Sequence, residues 1–188
     1  MNTLISNFFG YLQFYTSKII PILIIGGVLE CIFLFFTYKG YIQYKQKSYI
    51  RIITSVLLSL SIALIIVMTL YGRQLGMESE YRFQFFASYI EVFKEKNVEV
   101  LLQIIMNIFM FIPIGFLLPY CFKKFEKNKT VFFTAILFSG MIECTQGIFR
   151  MGMFETDDIL GNVLGAELGF FLFYLVRKIC QKFVGFHE

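Results

Sequence analysis

Residues 52–71 read IITSVLLSLSIALIIVMTLY, twenty consecutive positions without a charged side chain. A helix of that length rises about 30 Å, the thickness of the hydrocarbon core of a bilayer. Working outward from it, three more runs have the same character. Residues 19–38 hold one acid, Glu30. Residues 100–122 carry no charge but include Gln103, Asn107 and two prolines, and residues 131–149 hold one acid, Glu143. A fifth run, 159–176, is slightly shorter and contains Asn162 and Glu167. Its glycines Gly161, Gly165 and Gly169 recur every four residues on one helical face, a spacing that suits close helix packing in lipid. Composition agrees: 57% of the 188 residues are hydrophobic and 16% are charged, against about 25% charged in an ordinary soluble domain. The reading is an all-α, polytopic transmembrane helical bundle of five spans in a single domain, 1–188.

Orientation follows from the loops. Lys39, Lys45, Lys47 and Arg51 precede the second span; Lys123, Lys124, Lys127 and Lys129 separate the third from the fourth; Arg177, Lys178 and Lys182 follow the fifth. These eleven of the seventeen basic residues fall on one side only if the number of spans is odd. That side is the cytoplasm, which places the N-terminus outside and the C-terminus inside a plasma membrane. The net charge of +4 is therefore explained by topology and does not point to nucleic acid. Residues 1–17 lack a basic n-region and a small-residue cleavage site, so no cleavable leader is expected. Tyr stands in for the absent Trp as the interfacial anchor. Cys31, Cys121, Cys144 and Cys180 lie far apart, no CxxC occurs, and the one histidine, His187, is in the tail. No metal site, disulfide or cofactor is expected.

Residues 81–97 place Tyr81, Phe85, Tyr89 and Phe93 near one helical face, with Arg82, Glu91 and Glu95 elsewhere. The pattern predicts an amphipathic helix on the outer surface; the alternative is an ordinary outer loop. Residues 1–17 are aromatic enough to lie on the same interface or to extend the first span.

Polar groups are costly in lipid, so their placement is informative. Along the third span stand Asn107, Pro113, Gly115 and Pro119; Pro113 removes a backbone donor and predicts a kink just beyond Asn107. On the fourth span Glu143, Gln146 and Arg150 share a face by spacing. A short loop leads to Asp157 and Asp158, and Asn162 follows Asp158 by one turn. Counted from the span ends, these groups gather in the outer half of the membrane or at its edge. One reading is structural, with Arg150 paired to an acid and the amides bonded between helices. The other is a polar pocket open to the outer leaflet, holding a lipid or glycolipid head group on Asn107, Glu143, Gln146, Arg150, Asp157, Asp158 and Asn162. Glu30 and Glu167 lie deeper, outside this cluster; each needs a partner or a proton there, and a structural role is favoured for them.

The order Asn107-x3-Phe111-x-Pro113-x-Gly115-x3-Pro119, then Glu143-x2-Gln146-x3-Arg150, then Phe154, Asp157, Asp158, Asn162, Gly165 and Gly169 resembles the VanZ-like membrane proteins. The motif-bearing part is about 100–176. The resemblance implies a Gram-positive-type envelope protein, in a family whose name-giving member is linked to teicoplanin resistance. The leading expectation is lowered susceptibility to lipid-anchored glycopeptides, with membrane lipids, the lipoglycopeptide itself or a lipid-linked wall precursor as partners. A rival is a membrane enzyme modifying a lipid or lipid-linked glycan, with Glu143 and Asp158 as the catalytic acid–base candidates. That rival could recruit Mg²⁺ or Ca²⁺ on Asp157, Asp158 and Glu143. A third reading is a structural subunit that assembles through the Gly161, Gly165 and Gly169 face. The absence of an internal repeat speaks against a transporter.

Overall fold

A computed structural model describes residues 21, 24–28, 48–71, 81–152 and 154–184. The chain divides into two compact units, Met1–Gly72 and Arg73–Glu188. No linker-like composition marks that boundary, which is why the sequence reads as one domain.

In the first unit, residues 21 and 24–28 are helical. Most of the expected first span, including Glu30, lies outside the described residues, as does 1–17. Helix α1, Ser48–Thr69, contains most of the uncharged run quoted above and begins one turn before it, taking in Arg51. Leu58, Ala63, Ile65 and Val67 are fully buried. Gly26 lies against it, since a Cβ there would stand 2.9 Å from Leu60 Cδ2. The hydroxyls of Thr54, Ser59, Ser61 and Thr69 donate to carbonyls four residues back, at 2.7 to 2.9 Å. The helix thus satisfies its own polar side chains where no water can.

The second unit begins with β1, Tyr81–Arg82, and helix α2, Ala87–Glu95. Helix α3 spans Val98–Cys121, followed by a 3₁₀ turn at Lys123–Glu126 and helix α4, Asn128–Ile148. Strand β2, Phe154–Glu155, leads into helix α5, Thr156–Val184. The two strands form a parallel bridge, Tyr81 opposite Phe154 and Arg82 opposite Glu155. Among the described residues four helices are long and apolar enough to cross a membrane: Ile50–Thr69, Val98–Cys121, Asn128–Ile148 and Thr156–Lys182. The protein is a mostly all-α membrane protein, and among the described residues that short bridge is its β-structure.

The expected amphipathic helix over 81–97 is corrected to α2 alone. Tyr81 and Arg82 are drawn into the bridge, and Phe86 adopts a left-handed φ of 65°, so the helix can start only at Ala87. Asn97 then caps α3, its side-chain oxygen accepting from the N–H groups of Glu99 (3.1 Å) and Val100 (3.4 Å). Helix α3 runs unbroken through Pro113 and Pro119.

Helices α3 and α5 meet backbone to backbone. A Cβ on Gly115 would fall 1.9 Å from the Ala166 carbonyl oxygen; one on Gly165 would fall 2.1 Å from that of Ile108, and one on Gly169 2.1 Å from that of Ile112. Gly161 is slightly looser, 3.3 Å from Asn107 Cβ. Only glycine permits this approach. The glycine face proposed as an assembly surface is therefore filled within the chain, which removes the surface that the structural-subunit reading requires. Beside this seam, Phe111, Ile114, Leu117 and Leu118 of α3, Val131, Ala135 and Ile142 of α4, and Ala166 and Phe173 of α5 form the core.

Candidate functional site

The second unit has two ends of different character. At one, the 3₁₀ turn is tied to α5 by a 2.7 Å contact between Arg177 Nη1 and Glu126 Oε2. Arg177 also lies over the Phe173 ring, 6.0 Å from its centroid, and Tyr120 stacks edge-on to Phe173 at 4.9 Å. Lys123, Lys124, Lys127 and Lys129 belong to this end, as do Lys178 and Lys182.

The other end gathers α2, the start of α3, the end of α4, the bridge and the start of α5. Asp157, in the first turn of α5 rather than in a loop, organises it. The residue is buried, and its two carboxylate oxygens accept from the N–H of Phe86 at 2.6 Å and of Ser88 at 2.7 Å. A carboxylate held by two N–H donors at a helix start stabilises both the charge and the helix. Here one helix supplies the cap for another, and α2 is pinned to α5. Thr156 adds a 3.4 Å contact from its hydroxyl to the Arg82 carbonyl.

Glu143 is almost fully buried on α4, and its Oε2 accepts from the Glu155 N–H at 3.1 Å. It thereby fixes the strand that leads into α5. Gln146 is buried beside it. On α5, Asn162 is buried and its Nδ2 donates to Ser139 Oγ at 2.8 Å, joining α5 to α4. Its Oδ1, like Oε1 of Glu167, is buried with no hydrogen-bond partner among the described residues. Asn107 stands opposite Gly161. Asp158 is half-buried and close enough to Tyr89 for its charge to act on the phenol. Burial holds the Tyr89 hydroxyl above its ordinary value, and Asp157 and then Asp158 add to the effect.

Arg150 departs from the expected arrangement. Helix α4 ends at Ile148, and Arg150 is exposed with a φ of 53°. The N–H of Met151 bonds to the Gln146 carbonyl at 2.9 Å and that of Arg150 to the Gly147 carbonyl at 3.3 Å. This is the Schellman pattern, with arginine at the left-handed position usually held by glycine. Its side chain has left the face of Glu143 and Gln146, and no carboxylate among the described residues pairs with it. Its expected structural pairing with an acid is thereby corrected.

Two features went unforeseen. The first is an ionic cluster over the bridge: Arg82 Nη1 stands 3.6 Å from Glu91 and 3.9 Å from Glu155. Asn97 Nδ2 donates to the other Glu91 oxygen at 2.9 Å. Burial raises the Glu155 carboxyl above the ordinary carboxylate range; Arg82 partly offsets this, while Asp157 and Glu91 reinforce it. The second is an open cavity of about 410 Å³ lined by Arg82, Phe83, Gln84, Ala87 and Glu91. The separation of 81–91 from 155 in sequence hid both, although Arg82 among aromatics was a visible signal. Around this end Phe83, Phe85, Phe86, Ile90 and Phe93 are exposed, Phe93 by 85%. Among the described residues, no cluster of three or more Asp, Glu, Cys or His side chains is arranged to hold a metal ion.

No curated protein and no solved structure matches the chain. A family model described as VanZ/LLP1 matches residues 22–177, most of the chain and all of the site, and the protein belongs to the VanZ/LLP1 family.

Proposed function

We propose that the protein is a cell-envelope membrane protein that lowers susceptibility to lipid-anchored glycopeptides of the teicoplanin type, acting at the outer leaflet of a Gram-positive plasma membrane. In this reading the end carrying α2 faces outward, and the basic end carrying Lys123–Lys129 and Lys178 faces the cytoplasm. The supporting observation is the concentration of unusual backbone at the first end. Phe86, Lys96 and Arg150 are the non-glycine residues of positive φ among those described, and they fall at the start of α2, the end of α2 and just past the end of α4, all at the end of the unit opposite the basic one. Such conformations cost about 1–3 kcal/mol each and cluster where function requires them. Asp157, Glu143 and Asn162 act as the frame of the site; Asp158, Arg150 and the Arg82–Glu91 surface meet the head group of a lipid, of the lipoglycopeptide or of a lipid-linked wall precursor.

Expression in a glycopeptide-sensitive host tests the proposal. Tolerance to teicoplanin-type drugs should rise more than tolerance to vancomycin-type drugs, which lack the acyl anchor, and Asp158→Ala should abolish the rise at equal expression. Unchanged tolerance to both drug types would sink the resistance reading.

A further inference from the structure

The cavity lined by Arg82, Phe83, Gln84, Ala87 and Glu91 combines opposite charges, a carboxamide and an aromatic ring. Its size, about 410 Å³, falls within the usual range of small-molecule sites, roughly 300–1,000 Å³. Its charges oppose one another. Of its lining residues only Arg82 and Glu91 are charged, with opposite sign and 3.6 Å apart, so a strongly charged ligand of either sign gains little from them. The 3.6 Å separation exceeds a direct hydrogen bond of about 2.7–3.2 Å, so the guanidinium and the carboxylate do not saturate one another and each can still hydrogen-bond a ligand hydroxyl. Arg82 is 44% exposed and Glu91 25%, so both can be reached. Gln84 adds a carboxamide, which both donates and accepts. Phe83 lines the same cavity, its ring braced against Phe154 at a centroid distance of 5.4 Å.

A planar donor, a planar acceptor, a carboxamide and an aromatic ring around a nearly neutral cavity match one ligand class. A pyranose ring has hydroxyls along its edge for the polar groups and an apolar C–H face for the phenyl ring. The exposed Phe85 and Phe86, which lie in the chain between the lining residues Gln84 and Ala87, suit the acyl–headgroup boundary to which a lipid-borne sugar is confined. We infer that this cavity is a binding site for a pyranose of a membrane-anchored glycan. The inference rests on the outer-leaflet reading above and deepens it by naming the recognised chemistry.

The test uses the full chain in phosphatidylglycerol nanodiscs, with native mass spectrometry as the readout. Diglucosyl-diacylglycerol, acyl-matched phosphatidylethanolamine and soluble methyl glucoside are titrated separately. The glycolipid should bind in preference to phosphatidylethanolamine, and Gln84→Leu and Phe83→Ala should each weaken it about tenfold, the loss of one good contact, without a shift in melting temperature. Gln84 is exposed, so its replacement leaves the fold intact. Methyl glucoside binding as tightly as the glycolipid would assign recognition to the sugar alone; glycolipid binding only would assign it to the sugar held at the membrane. Equal retention of the two lipids, or wild-type binding by Gln84→Leu, would overturn the inference. Drug tolerance separates the two proposals. Tolerance that survives in Gln84→Leu after glycan binding is lost removes the cavity from the resistance mechanism. Glycan binding without any tolerance in the wild type removes the resistance reading and leaves the cavity.

Discussion

At Arg150 the chain places a residue with a Cβ where glycine would fit at no steric cost. The left-handed conformation costs a non-glycine residue about 1–2 kcal/mol, and the Schellman bonds from Met151 and Arg150 hold it there. If the guanidinium did nothing, glycine would serve better. Arg150→Gly should therefore raise stability by about 1 kcal/mol while reducing drug tolerance. Thermal unfolding in detergent and susceptibility assays on the same variant give the two halves of that comparison. A stabilised variant with full tolerance would reduce Arg150 to a helix terminator.

Glu155 gives a second residue-scale expectation. The groups facing it are Arg82, Glu91 and Asp157, and burial raises its folded pKa above that of the unfolded chain. The folded state thus binds this proton more tightly, so the contribution to stability is most favourable below the ordinary carboxylate range. It is lost as pH rises through the raised value. Glu155→Gln removes the titration. Melting temperatures followed from about pH 4 to pH 7 should show wild type losing ground to the variant on the way up. A constant difference across that window would show that the carboxyl titrates normally.

Among the elements, α3 and α5 depend on the absence of side chains at their seam. Gly165→Ala would place a methyl group 2.1 Å from the Ile108 carbonyl oxygen, and neither backbone can yield without opening the interface. The expected loss is about 1–3 kcal/mol or more. Gly140 on α4 is the control, since nothing lies within 4 Å of its Cβ position; Gly140→Ala should gain about 0.5–1 kcal/mol. Chemical unfolding in mixed micelles should order the three proteins Gly140→Ala, wild type, Gly165→Ala. The same elements show what the sequence could and could not reveal. The four-residue glycine spacing marks one face of α5, because helical periodicity is local. That the face meets Gly115 and Ile108 of the same chain depends on register between helices, which spacing alone does not encode. Likewise Asp157 reads as a site carboxylate from its neighbours. Its actual partners, the amides of Phe86 and Ser88, lie about seventy residues earlier in the chain, and no local pattern announces them. The long apolar runs were legible because lipid demands length and hydropathy, whereas the bridge between β1 and β2 involves two residues each and leaves no periodicity to detect.

For the molecule as a whole, the second unit makes a topological argument that the loops alone could not. The Arg177–Glu126 contact fastens the α3–α4 turn to the far end of α5, so the two basic segments share one end by direct bonding. Asp157 likewise fastens α2 to the start of α5 at the other end. Helix α5, with 29 residues, is about 43 Å long and exceeds a hydrocarbon core of about 30 Å. Its last turns, with Lys178 and Lys182, therefore emerge on the basic side. The orientation proposed above makes that end the cytoplasmic one, in keeping with the positive-inside tendency, and turns the α2 end outward. Single cysteines introduced by Gln84→Cys and Lys127→Cys in a cysteine-free background distinguish the two ends directly. A membrane-impermeant maleimide applied to intact cells should label position 84 and spare position 127, with both labelled after permeabilisation. The reverse pattern would invert the molecule, place the Arg82–Glu91 cavity in the cytoplasm, and withdraw the outer leaflet as the place where this family member acts.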